Sequence, residues 1–176
     1  GGNLGDRLAT LCSAVRALDE VSGTRAVAAS AVYETRPVGP SIEPFLNAAV
    51  ELRTRQSPQA LLEALLRIEA RHGRERRRRW DARTLDLDLL MYLQRGPKGA
   101  WEPMRMREDG LTLPHPRIAE RDFVLVPLRD LLGGQAEVEE QSVERWLDRI
   151  EPGERTILRT VAEGAWWLER AARGRV

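Results

Sequence analysis

Apolar residues recur at helical spacing near the start of the chain. Leu8, Leu11, Val15 and Leu18 form one stripe, with Cys12 and Ala14 beside it. Asp6 precedes the stripe as a candidate cap, and Ser22 with Gly23 ends it. The pattern then changes. Residues 27–33 are small and β-branched and predict a strand, residues 34–43 carry Pro37, Gly39 and Pro40 and predict a loop, and residues 45–53 predict a second strand. Ser57 followed by Pro58 is a strong helix start. Leu61, Leu65 and Ile68 give that helix its apolar face, Glu69 sits at the face's edge, and Gly73 stops it just after His72. Residues 74–83 are polar and read as a loop. Residues 84–93 predict a third strand, with Leu85, Leu87, Leu89 and Met91 on one face. Residues 94–110 read as an irregular insertion, and Leu113, Pro114, His115 and Pro116 as a rigid turn. Helices are predicted over 121–132, 142–150 and 154–172, the last carrying Trp166 and Trp167.

The order is therefore helix, strand, strand, helix, strand, then helices. One strand ahead of the first helix would convert it to the split β-α-β of a ferredoxin-like fold. The glycine turn at Gly1, Gly2 and Gly5 is where such a strand would end. The expectation is an α+β class, a ferredoxin-like sandwich in which helices pack on an antiparallel sheet whose first strand is missing from this chain. No repeat and no domain-scale linker breaks residues 1–176, which predicts a single domain with a helical C-terminal extension over 133–176.

Charge changes this picture locally rather than globally. The 28 basic and 27 acidic residues nearly cancel, giving a formal net charge of +1. That balance argues against a general nucleic-acid binder. Yet Arg71, Arg74, Arg76, Arg77, Arg78, Arg79 and Arg83 lie within thirteen residues. Like charges at this density require counter-anions, and arginine forks hold phosphate bidentately. A single cysteine, Cys12, excludes an intrachain disulfide and fits a cytoplasmic setting. No apolar run approaches the length of a membrane span.

Asp86 and Asp88 follow the arginines directly. On a strand they share one face, roughly 7 Å apart along it. Two carboxylates so placed can hold hard cations such as Mg²⁺, which takes oxygen ligands and is commonly bound by one or two carboxylates plus substrate phosphates. Phe45 and Asn47 share a face two residues apart and suit a flat heterocycle, the ring stacking and the amide bonding its nitrogens. Phe123 is a candidate for the opposing aromatic. The flanking prolines fix the backbone of His115, and Trp80 lies inside the arginine loop as an anchor or a cover. An alternative from another class remains open at this point: an RNA-binding module using the arginine loop, with no need of Asp86 or Asp88.

These residues together resemble the 6-hydroxymethyl-7,8-dihydropterin pyrophosphokinase family over roughly residues 1–132. Arg79, Trp80, Arg83, Thr84, Leu85, Asp86, Leu87 and Asp88 reproduce the family signature. The opening glycines with Asn3, Leu4 and Asp6, the run Tyr33 to Gly39, the run Phe45 to Ala49, the turn at His115 and the trio Arg121, Asp122, Phe123 resemble its other motifs. Gly2 stands where serine is usual, Arg36 where proline is common, and Pro116 where an aromatic is often found. The resemblance implies Mg²⁺-dependent transfer of pyrophosphate from ATP to the dihydropterin, with two Mg²⁺ ions on Asp86 and Asp88. It implies catalytic roles for Arg79, Trp80, Arg83, Asp86 and Asp88. ATP would be held by Glu69, Arg74, Arg76, Arg83, His115 and Arg121, and the pterin by Thr35, Val38, Phe45, Asn47 and Phe123. Partners would be these small molecules alone, without nucleic acid or membrane, in a monomer or weak dimer.

Overall fold

A computed structural model describes residues 1–39, 41–74, 83–108 and 110–169. Mixed helix and antiparallel sheet build an α+β molecule. Helix α1 (Arg7–Asp19) begins where sequence patterning places it, because the Asp6 carboxylate accepts from the Ala9 amide at 3.0 Å. Helix α2 (Pro58–Arg71) starts with the Ser57 hydroxyl accepting from the Ala60 amide, at 3.2 Å. His72 closes it. One ring nitrogen meets the Ile68 carbonyl at 2.8 Å and the other meets the Ser13 hydroxyl at 3.0 Å, tying α2 to α1.

The two strands expected over 27–33 and 45–53 form a long hairpin, but each is broken in the middle. Strand β1 (Thr24–Ala29) pairs antiparallel with β4 (Val50–Thr54), and β2 (Val32–Thr35) pairs with β3 (Phe45–Asn47). At the break Ser30 replaces regular pairing. Its amide donates to the Ala49 carbonyl and its hydroxyl accepts from the Ala49 amide, both at 2.9 Å. From helix α3 (Asp122–Leu132), Asp130 accepts from the Ala31 amide and from the Tyr33 phenol. Burial and this hydrogen bond push the Tyr33 phenol up to about 12.

Two expectations are overturned. Residues 84–92 form no strand ladder; only β5 (Leu93–Arg95) pairs, with β6 (Trp101–Pro103). Gly1 to Asn3 lie alongside its start, with backbone bonds that reach Arg83 and Asp86 on one side and Leu46 on the other. Packing follows the expected face only in part: Leu85, Leu87 and Leu89 join the core of α1, α2 and the hairpin, whereas Met91, expected with them, joins Leu90 in a second core under α3. The helix expected over 154–172 is mostly a strand. Strand β11 (Ile157–Ala162) adds to the outer edge of β2, giving the order β11-β2-β3, and only α5 (Trp166–Glu169) is helical. The β-branched run Thr156, Ile157, Thr160 and Val161 suits a half-buried strand better than a helix, and Gly164, with φ of 64°, breaks it before Trp166. The C-terminal extension is thus mixed, with a small hairpin of β9 (Glu137–Val138) and β10 (Gln141–Ser142) and helix α4 (Val143–Asp148), rather than helical. The insertion over 94–110 is more ordered than expected, because β7 (Met106–Glu108) and β8 (Leu111–Leu113) form a further hairpin beyond β5–β6.

Trp166 is buried, and its indole N–H donates to the Ser30 carbonyl at 2.8 Å. Its carbonyl accepts from the buried Cys12 thiol, in keeping with a packing role for that cysteine. Among the described residues no helix is long and apolar enough to cross a membrane. Leu85 is fully buried, whereas Leu93 at the end of the same run is 44% exposed. Leu85→Ala is therefore expected to lower the free energy of unfolding by about 3 kcal/mol, and Leu93→Ala by less than about 0.5 kcal/mol. Urea denaturation of the two variants measures both. Equal effects would show that Leu85 is not part of the buried core as described.

Candidate active site

A cavity of about 880 Å³ opens along residues 83–93 and is bounded by β3, β4 and the start of α3. Thr35, Val38, Phe45, Asn47, Arg74, Arg83, Asp86, Asp88, His115, Arg121 and Phe123, all singled out from sequence, line this one space. They come from separate parts of the chain, so their convergence is a product of the fold. Arg76, Arg79 and Trp80 lie outside the described residues.

At the aromatic end, Phe45 and Asn47 are brought side by side by β3, whose register sets Phe45 opposite Thr35. The Asn47 amide donates to the Thr35 hydroxyl at 2.8 Å, which fixes its orientation and leaves its carbonyl oxygen for another donor. Phe123 sits in the first turn of α3, with the Arg121 guanidinium 5.4 Å from its ring centre. This end offers aromatic faces, an oriented amide and a hydroxyl.

The charged end is built on Asp86. Arg74 approaches one carboxylate oxygen at 2.6 Å, and Arg83 binds the other. Burial disfavours the charge, but the surrounding positive groups, Arg83 and Arg74 among them, overcome it and hold the Asp86 carboxyl below the usual range. Arg74 also binds Glu69, which is 2% exposed and accepts from the Leu87 amide at 2.7 Å. Burial pushes the Glu69 carboxyl up, against the opposing pull of that amide and of Arg74. Glu69 therefore acts from beneath, holding Arg74 and the backbone of the acidic segment. Asp88 is exposed and lines the cavity.

His115 is set in the turn by its amide, which donates to the Leu90 carbonyl at 2.8 Å. Its Nδ1 accepts from the Arg117 amide at 3.2 Å, so a neutral ring carries its proton on Nε2 and can donate from there.

Sequence reasoning missed two contributors. Asn3 is 4% exposed; its side-chain oxygen accepts from the Arg83 amide at 2.8 Å and its amide donates to the Ser41 hydroxyl at 2.7 Å. It ties the entry of the acidic segment to the loop leading into β3, and a polar residue between glycines was the available signal. Arg117 also lines the cavity, two residues from His115. Gly2 has a clear structural reason: a Cβ there would lie 2.2 Å from the Thr84 carbonyl oxygen. Glycine at this position permits close backbone approach.

The donor set fits a hard cation. Asp86 and Asp88 supply oxygen, and no cluster of three or more His, Cys, Asp or Glu suited to a metal occurs among the described residues.

Comparison with known proteins places the chain in a family. The family model described as 7,8-dihydro-6-hydroxymethylpterin-pyrophosphokinase matches residues 1–133. The 2-amino-4-hydroxy-6-hydroxymethyldihydropteridine pyrophosphokinase of Methylorubrum extorquens is 44% identical over 132 residues, covering 74% of this chain and 78% of the relative. Its namesake in Haemophilus influenzae is 38% identical over 132 residues, covering 74% and 77%. That of Bacillus subtilis is 37% identical over 153 residues, covering 83% and 86%. With a family match over three quarters of its length, this chain belongs to the 7,8-dihydro-6-hydroxymethylpterin-pyrophosphokinase family, whose members are diphosphotransferases.

Proposed function

We propose that the protein transfers the terminal pyrophosphoryl group of ATP to the hydroxymethyl oxygen of 6-hydroxymethyl-7,8-dihydropterin, in the cytoplasmic synthesis of tetrahydrofolate. The observation that carries this reading is the single cavity with an oriented amide and two phenylalanines at one end and paired carboxylates among arginines at the other. The substrate hydroxyl oxygen forms a bond to the β-phosphorus, the bond from that phosphorus to the α-phosphate oxygen breaks, AMP leaves and the hydroxyl proton passes to solvent. Phe45 and Phe123 stack on the pterin, and Asn47, oriented by Thr35, bonds its ring edge; Val38 closes that end. Arg74, Arg83, His115 through Nε2, and Arg121 hold phosphate oxygens, with Arg76 and Arg79 of the loop added to them and Trp80 covering the site. Mg²⁺, two ions in this reading, held by Asp86 and Asp88, would neutralise charge along the triphosphate. Alignment and charge neutralisation supply most of the acceleration in phosphoryl transfer, so no nucleophilic side chain is required. The active form is a monomer or weak dimer acting on small molecules.

The ferredoxin-like arrangement is part of the proposal. Among the described residues β4 pairs only with β1, and both β4 and residues 87–93 line the cavity, with Leu61 and Leu65 of α2 also on its wall. A central strand leading into Gly1 would take its place there, pairing on both sides as Gly1 to Asn3 begin to do.

Three outcomes test these statements. Asp86→Ala and Asp88→Ala should each lower AMP production at least about 100-fold, with the far-UV circular dichroism unchanged; full turnover in both variants would remove the metal assignment. In calorimetry, the dihydropterin should bind at least about tenfold more tightly once Mg²⁺ and a non-hydrolysable ATP analogue are present, since phosphate and pterin sites adjoin. Equal affinity for the bare protein would count against a pterin site completed by nucleotide. Six alternating β-branched and polar residues placed ahead of Gly1 should raise the melting temperature by about 5 °C, and no increase would argue against a strand in the groove.

A further inference from the structure

The α3 N-terminus carries a buried carboxylate that the proposed chemistry does not use. Asp122 is 4% exposed and lies between Arg121 and Phe123, which both line the cavity. It accepts from the Thr156 amide and the Thr156 hydroxyl, each at 2.5 Å, and from the Ile157 amide at 3.0 Å. Its remaining bond is local, from the Phe123 amide at 2.9 Å. A buried carboxylate with this many donors is satisfied, and bonds to an ionised acceptor are the strong ones.

The three long-range donors belong to a segment beyond residues 1–133, the part matched by the family model. That segment is fastened on its other side to β2. Ile157 pairs with Thr35, the Arg36 amide donates to the Thr156 carbonyl at 2.8 Å, and the Arg36 guanidinium donates to the Gly153 carbonyl at 3.4 Å and to that of Arg155. Residues 153–157 thus bridge two walls of the cavity: Thr35 and Arg36 on one side, Arg121 and Phe123 on the other.

We propose that Asp122 is a positioning residue and that the C-terminal segment, through Thr156, braces the aromatic end of the site. The brace sets the separation of Phe123 from Phe45 and Thr35 and the direction of Arg121 over the Phe123 ring. It rests on the pterin reading of that end given above. A dinucleotide-sized change in spacing is not needed for an effect, because displacements near 1 Å at a binding wall are costly.

The test compares Thr156→Val, which removes the hydroxyl donor at nearly constant volume, with Thr156→Ser, which keeps it. In the full chain, Thr156→Val should raise KM for the dihydropterin about tenfold and leave KM for ATP within about twofold; Thr156→Ser should restore the native value. Amide hydrogen exchange, read without any substrate, should quicken in Thr156→Val at residues 124–126 and 35–36 but not in α1 or α2. Unchanged exchange at those residues overturns the brace. Quickened exchange with an unchanged KM for the dihydropterin overturns the positioning role, leaving Asp122 a fastening of the fold alone. If the native protein itself makes no AMP with the dihydropterin, the functional reading fails separately, and the exchange comparison still decides the brace.

Discussion

Everything in the site depends on residues 83–92 being held extended without a strand ladder. A segment of this kind leaves backbone groups that must find partners elsewhere. Here they find them in several directions. The Asn3 side chain accepts from the Arg83 amide, Glu69 from the Leu87 amide, Leu90 accepts from His115, and Tyr92 accepts from Met104. The apolar side chains then divide the segment between two cores, Leu85, Leu87 and Leu89 in one and Leu90 with Met91 in the other. Asp86 and Asp88 line the cavity together with Leu87, while Leu85 beside them is buried in the core.

This explains why a buried glutamate sits on α2. Glu69 could be replaced by an apolar residue as far as the helix stripe is concerned, and burial opposes its charge. It stays because it bonds a backbone amide that lacks a sheet partner and at the same time holds Arg74 toward Asp86. One side chain thereby supports the backbone of the acidic segment and orients a cation at its carboxylate.

Much of this was legible in sequence, and the boundary follows the range of the forces. Caps and local periodicity are local chemistry, so Asp6 and Ser57 start helices where their side chains dictate. The convergence of Asp86 and Asp88 on one cavity was legible because charges two residues apart inside an apolar run share a face. What was not legible was set by distant partners. The apolar alternation of residues 84–93 reads as a strand, yet a ladder requires neighbours along its whole length, and that information is not in the segment. Residues 157–162 failed for the converse reason: Trp166 and Trp167 invite a helical reading, but the edge of β2 was open and β-branched residues filled it. Asp122 was visible only as part of a motif, because its donors lie 34 residues away.

The electrostatics follow from the same geometry. Arg74 shares itself between Glu69 and Asp86, and Arg83 pairs with Asp86, so the charges at this end are mutually compensated within the protein. Coulombic attraction in such partly desolvated pairs is strong, but it is exchangeable: a polyphosphate offers the same guanidinium groups more oxygens, and a cation offers Asp86 a replacement for the arginines it gives up. In the proposed function, binding at this end would be an exchange of partners rather than the filling of an uncompensated charged site. Such an exchange would favour the phosphate and its counter-ion arriving together, because either alone would leave a carboxylate or a guanidinium without its partner in a half-buried setting.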